Sequence, residues 1–265
     1  MIAIATSVLA VVFFLIQPTF PSYDGYYSLL WAREIVGGSL PNFQLPAAPT
    51  EHPAGILLGI GSLAFGDEAE RAYVLVVLLS FGALVAGIYS LGAELFNRTV
   101  GLVAGLIVLT RFDLVALAVR GFVDIPFLAL IIWSAVLVAR EPKRTQPAVF
   151  VLLTVAGLLR PEAWLFIGIY FLFCSRGMVW GQRVRYAAVV AIGPLVWFTI
   201  DWLVTGNPLF SLTATRELAG ELGRSRGFLS VLFDLPVLIA RTVKMSVLIA
   251  GVLGLGIGLH YWRER

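Results

Sequence analysis

Between Ala72 and Ala93 the chain runs for 22 residues without Asp, Glu, Lys or Arg. That is enough for one α-helix to cross the roughly 30 Å hydrocarbon layer of a bilayer. Similar or shorter runs recur at Ile2 to Ile16, Val100 to Thr110, Ile125 to Ala139, Ala148 to Leu159, Ala163 to Cys174, Tyr186 to Val204 and about Leu235 to Leu259. Of 265 residues, 59% are hydrophobic and 13% charged, with a mean hydropathy of +0.92. One soluble core of this length does not hide that much apolar surface. The reading is an all-α polytopic membrane protein of one domain, residues 1–265, with about eight transmembrane or near-spanning helices.

Basic residues set the expected topology, because Lys and Arg in short loops favour the cytoplasm. Arg98, then Arg140, Lys143 and Arg144, then Arg176, Arg183 and Arg185, and finally Arg263 and Arg265 fall on one side if Ala148 to Cys174 is a hairpin broken at Arg160-Pro161-Glu162. Pro161 supports the break, since proline suits the first turn of a helix and damages its interior. Both termini are then cytoplasmic. The opposite face carries the first external loop (about 21–71), Arg111 to Asp124, the Arg160-Pro161-Glu162 turn and the last external loop (about 205–235). In the first of these, Tyr26 to Val36 reads as an interfacial helix with Tyr26, Tyr27, Leu30, Trp31 and Ile35 toward lipid and Ser28, Arg33 and Glu34 toward water. Ala54 to Gly66 reads as a second, shallow apolar segment.

The net charge of +3 and pI of 9.2 do not indicate nucleic acid, because the basic residues sit at the ends of apolar runs and form no polar basic stretch. A lone cysteine, Cys174, excludes an internal disulfide and metal-type cysteine spacing. Met1 to Ile16 lacks the basic start of a signal peptide and reads as a retained first helix.

Carboxylates against a membrane are costly unless paired, ion-bound or chemically employed. Asp24 and Glu51 flank the first external loop, with His52-Pro53 beside the second acid. Asp24 reads either as the N-cap of the helix that follows it or, with Glu51 and His52, as part of a set for proton transfer or for a divalent cation. Glu51 reads alternatively as a solvated loop residue. Arg120 and Asp124 stand four residues apart, suited to a salt bridge or to separate roles toward an anion and the first-loop acids. Arg160 can reach a lipid phosphate bidentately or simply pair with Glu162. Arg216, Arg224 and Arg226 are phosphate contacts or surface residues. Asp201, near the outer end of its helix, is assigned no role, and Arg241, Lys244 and His260 carry little signal.

Tyr23-Asp24-Gly25-Tyr26-Tyr27 through Gly37-Gly38, Glu51-His52-Pro53, Glu94-Leu95-Phe96-Asn97-Arg98, Arg120 to Pro126 and Leu159-Arg160-Pro161-Glu162 follow one another in an order that resembles the GT-C superfamily of integral-membrane glycosyltransferases. The resemblance covers about residues 20 to 210. It is narrowest with the branch of protein O-mannosyltransferases and aminoarabinose transferases, as a short or truncated member. It implies inverting transfer of a sugar from a polyprenyl-phosphate donor to a glycan, lipid or protein acceptor outside the cytoplasm, at the cell membrane. It also implies a catalytic set of Asp24, Glu51 and Asp124, and substrate contacts from His52, Arg120, Arg160, Glu162 and Arg216. Asp24 and Glu51 are the candidate ligands for a divalent cation. Gly25 stands where many relatives carry a second acid. The competing expectations are a membrane transporter, a lipid-carrier-binding protein or an inactive GT-C paralogue. Transporters place their charges nearer the bilayer midplane than this pattern does.

Overall fold

A computed structural model describes residues 2–142, 144–221, 223, 234, 237, 248–254 and 256, and among these there is no β-strand. The helices are α1 (Ile2–Ile16), α2 (Tyr23–Val36), α3 (Pro53–Leu63), α4 (Ala69–Leu95), α5 (Arg98–Leu109), α6 (Phe112–Val119), α7 (Asp124–Arg140), α8 (Pro147–Leu159), α9 (Ala163–Ser175), α10 (Trp180–Thr205) and α11 (Phe210–Glu221), with one 3-10 turn at Gly66–Glu68. The chain divides into two compact units, Met1–Thr215 and Arg216–Arg265. In the second, the described residues include helical positions 248–254.

In the first unit α4 is the central helix, packed on α1, α5 and α7. Its inward face, with Tyr73, Val74, Val77, Leu78, Phe81, Leu84 and Val85, is buried against Leu29, Ile125 and Ala129. Close approach is built in at Gly87, where a Cβ would lie 2.9 Å from Ile132 and 3.2 Å from the Trp133 indole nitrogen. That indole N–H donates to the Ala83 carbonyl at 3.0 Å. A second apolar cluster joins α8, α9 and α10 through Phe150, Leu153, Ile167 and Tyr186.

Two helical stretches are long and apolar enough to cross a membrane, Gly66–Leu95 and Trp180–Thr205. The expected segment at Val100 to Thr110 is α5, which continues into α6 through a 60° bend, and the two together make a third candidate span. The other expected segments within the described residues are helices, but α1, α7, α8 and α9 have 15, 17, 13 and 13 residues. Their length reaches only about 20–26 Å at 1.5 Å per residue. The described residues thus bear out an all-helical apolar fold with two to three candidate spans plus shorter apolar helices, and the segment at Leu235 to Leu259 falls mostly outside them. So do Lys143, Arg224, Arg226, Arg241, Lys244, His260, Arg263 and Arg265.

The break at Arg160-Pro161-Glu162 is present: α8 ends at Leu159 and α9 begins at Ala163. Pro161 lies in the turn just before Glu162, the N-cap of α9, so it precedes the new helix instead of starting it. The helix expected at Tyr26 to Val36 begins three residues earlier, and its inner face differs from expectation. Trp31 and Ser28 are buried, whereas Tyr26, Leu30 and Ile35 are exposed. The cause is α3, whose glycines let α2 approach: a Cβ at Gly59 would lie 2.8 Å from the Ser28 carbonyl oxygen. Trp31 then packs edge-on against Phe43, with ring centroids 4.9 Å apart, and donates its indole N–H to the Asn42 carbonyl.

Candidate functional site

Asp24, Asp124, Arg160 and Glu162 come together at one end of the first unit, and a backbone bond makes the first connection. Ser22 N–H donates to the Arg120 carbonyl at 2.5 Å, tying the start of α2 to the connector between α6 and α7. Gly121 turns that connector in the left-handed region, at φ +67°, where a side chain is strained. Ser22 is also the N-cap of α2, its hydroxyl accepting from the Gly25 N–H at 3.3 Å. Asp24 is therefore not the cap but a residue of the first helical turn, half-buried.

Gly25 is packed too closely for any side chain. A Cβ there would meet the Pro21 Cβ at 2.9 Å and the Tyr73 ring at 3.4 Å. A second acid at this position has no room in this fold.

The α8–α9 turn makes the second connection. Arg160 Nη1 donates to Asp124 Oδ1 at the first residue of α7, while its Nη2 and Nε donate to the two oxygens of Glu162, at 3.0 and 3.4 Å. The guanidinium also lies 5.9 Å from the centre of the Phe127 ring. Asp124 thus pairs with Arg160 and not with Arg120, whose exposed guanidinium lies over Phe122 at 5.5 Å. A guanidinium has five N–H donors. Three are used here, so one on each terminal nitrogen is left for an anion.

Electrostatics couple these groups to Asp24. Burial raises the Asp24 carboxyl above the usual carboxylate range; Asp124 adds to the shift, and His52 and Arg160 oppose it. Burial likewise lowers His52, against the pull of Asp24, so its imidazole is neutral near pH 7. His52 precedes α3 as its N-cap, and its ring stands edge-on to Trp197 of α10 at 6.2 Å. Its Nδ1 is buried with no hydrogen-bond partner in the structure. Trp197 is itself fixed by an indole N–H bond of 3.0 Å to the Gly157 carbonyl, which also accepts from Trp164 at 3.1 Å. For Glu162, burial works upward, but the bonds from Arg160 outweigh it and hold the carboxyl below its ordinary value.

Glu51 belongs to a different constellation. It is 2% exposed, and Ser211 of α11 donates its hydroxyl to Glu51 Oε1. The same hydroxyl lies 2.6 and 2.7 Å from the two oxygens of Asp201, and the Ser211 N–H donates to Asp201 Oδ2 at 2.9 Å. Burial, reinforced by Asp201, pushes Glu51 up to about 8. The solvated-loop alternative for Glu51 is thus overturned, and Asp201, assigned no role from the sequence, is the residue that sequence reasoning missed. The signal was present: Asp201 is the one acid in α10, and a buried acid requires a partner. Arg216 is exposed and lies in the second compact unit.

Among the described residues no group of three or more His, Cys, Asp or Glu is placed to hold a metal ion. Of the two residues expected to share a cation, Asp24 has His52, Asp124 and Arg160 as its titratable neighbours, while Glu51 is bonded to Ser211 beside Asp201. The residues do not fit a cation site, and the chemistry below is derived without one.

Comparison with known families points to a membrane glycosyltransferase of the GT-C type. The family model for dolichyl-phosphate-mannose-protein mannosyltransferase matches residues 53–202, more than half of the chain, and the protein belongs to that family. No curated protein and no solved structure gives a significant match. The matched stretch contains Asp124, Arg160, Glu162 and Asp201, and it begins directly after His52.

Proposed function

We propose that this protein transfers a sugar from a polyprenyl-phosphate donor to an acceptor hydroxyl, with inversion at the anomeric carbon and Asp24 as the general base. The observation that carries this reading is the Asp124–Arg160–Glu162 bridge, coupled electrostatically to a half-buried Asp24. A carboxylate raised by burial is a better proton acceptor near neutral pH than a fully solvated one. As the acceptor oxygen bonds to the anomeric carbon, its proton passes to Asp24 and the bond to the phosphate oxygen breaks, leaving its electron pair on the phosphate. The two unused Arg160 N–H groups meet that developing charge, and Asp124 and Glu162 hold the guanidinium in place. Arg120, exposed at the same connector, is a second phosphate contact. His52 is assigned a substrate contact, its unpartnered Nδ1 accepting a hydrogen bond from a substrate hydroxyl. Arg216 is assigned contact with lipid phosphate at the surface.

The side of the membrane follows from charge. Arg140 pairs with Glu94 at 3.7 Å, joining the ends of α4 and α7 away from Asp124; Arg144 and Arg176 fall in the connectors of that same end, and Arg183 and Arg185 in the first turns of α10 there. By the positive-inside rule that end is cytoplasmic. The site is then extracytoplasmic, at the cell membrane, where the donor enters laterally from the bilayer and the acceptor is a glycan, lipid or protein.

The test is reconstitution into vesicles with radiolabelled polyprenyl-phosphate mannose. The reading expects label to move to a hydroxyl-bearing acceptor with the α configuration inverted relative to the donor. Tight binding of the donor without consumption selects an inactive carrier-binding relative instead.

A further inference from the structure

The contact between Glu51, Ser211 and Asp201 draws three chain segments together in a place with no access to water, since all three residues are 1–3% exposed. Glu51 precedes His52 and the start of α3, Asp201 lies in the last turns of α10, and Ser211 opens α11. The chain reverses between α10 and α11 at Gly206, which is left-handed at φ +76°. The Thr205 hydroxyl stiffens that reversal by donating to the Asp201 carbonyl at 2.7 Å and accepting from the Asn207 N–H at 3.2 Å. A second bridge parallels the first: the hydroxyls of Thr50 and Thr215 are 2.7 Å apart.

Hydrogen counting constrains the knot. The Ser211 hydroxyl has one hydrogen and three carboxyl oxygens near it, and its own N–H already serves Asp201. With both acids ionised, two buried negative groups compete for one hydroxyl hydrogen, an arrangement that burial strongly disfavours. One proton shared within the trio removes that penalty. Asp201 is the titratable group facing Glu51, whereas the adjacent His52 is coupled to Asp24, Asp124 and Arg160.

We propose that Asp201 and Ser211 are positioning residues that clamp the α10–α11 reversal onto the Glu51–His52 segment and thereby fix His52 beside Asp24. The clamp acts through His52 and touches no reacting atom. Loosening the clamp is therefore expected to weaken substrate binding before it slows chemistry. The kinetic part of this inference rests on the glycosyl-transfer reading; the clamp itself does not.

The experiment therefore has two readouts on full-length protein in vesicles. Thr50→Cys with Thr215→Cys, in a Cys174→Ala background, reports the clamp by oxidative crosslinking and requires no substrate. Asp201→Ala and Ser211→Ala are each expected to slow crosslinking and to raise KM for radiolabelled polyprenyl-phosphate mannose by about tenfold, the scale of one buried polar group left unpaired, with a smaller change in kcat. Asp201→Asn, which keeps an acceptor for the Ser211 N–H and a donor for its hydroxyl, is expected to restore both, and Glu51→Gln to crosslink faster than Glu51→Ala. The proposal is overturned if Asp201→Ala and Ser211→Ala crosslink at the parent rate, or if Asp201→Asn is as defective as Asp201→Ala. If Asp201→Ala does not fold, Ser211→Ala alone decides. An absence of transfer in every variant and in the parent rejects the glycosyl-transfer reading while leaving the crosslinking result intact.

Discussion

Arg160, in the turn between α8 and α9, is bonded to Asp124 at the first residue of α7, and its remaining bonds go to Glu162 two residues along its own turn. One guanidinium therefore serves two carboxylates on separate elements while being only a third exposed. The arrangement fixes its plane and leaves its outer N–H groups for an incoming anion.

Arg160→Lys is expected to fail nearly as badly as Arg160→Ala. An ammonium carries the charge but not the planar fork that holds Asp124 and Glu162 at once, and loss of the charge-assisted bonds is expected to raise KM for the lipid donor by about tenfold or more. Donor-concentration series on the two variants check this; a lysine variant with parental KM rejects the bidentate role.

Gly25→Asp is expected to destabilise the protein and to add no catalytic power. Its Cβ has only 2.9 Å to the Pro21 Cβ, and overpacking of this kind costs about 1–3 kcal/mol. Gly25→Ala is expected to show the same loss in thermal unfolding in detergent, which separates the steric effect from the added charge.

Glu51 makes stability depend on pH. Its carboxyl is raised from 4.5 to about 8 in the folded protein, so the folded state holds a proton that the unfolded chain releases between those values. The associated stability is complete below about pH 4.5 and is lost as pH rises through about 8. Unfolding temperatures measured across that window are expected to fall with rising pH in the parent, with a shallower slope in Glu51→Gln.

Much of this organisation is readable from the sequence. The Arg160-Pro161-Glu162 interruption marks a true helix boundary because a proline and two charges together leave neither a helical hydrogen bond nor an apolar face to continue. The alternation of basic and acidic loops brings Asp24, Asp124 and Arg160 to one end of the first unit. Hydropathy does not distinguish an apolar face turned to lipid from one turned to protein, so Trp31 was expected outward although Gly55 and Gly59 draw it in. Asp24 was a cap candidate by type, but the Ser22 hydroxyl takes that place by accepting from the Gly25 N–H. Asp201 is marked by being the one acid in α10, but its partners were not legible, because Ser211 lies across a turn and Glu51 is much earlier in the chain. The 60° bend between α5 and α6 has no proline to announce it.

The central claim is that Asp24 removes the acceptor proton, and the pH dependence of transfer by the parent and Asp24→Asn tests it most directly. Because burial raises the Asp24 carboxyl, kcat/KM in the parent is expected to climb with pH through that raised value and then level off. The asparagine variant is expected to lose about 100-fold or more in kcat and the climb with it. A variant that turns over at nearly the parental rate, with the same pH profile, contradicts the account.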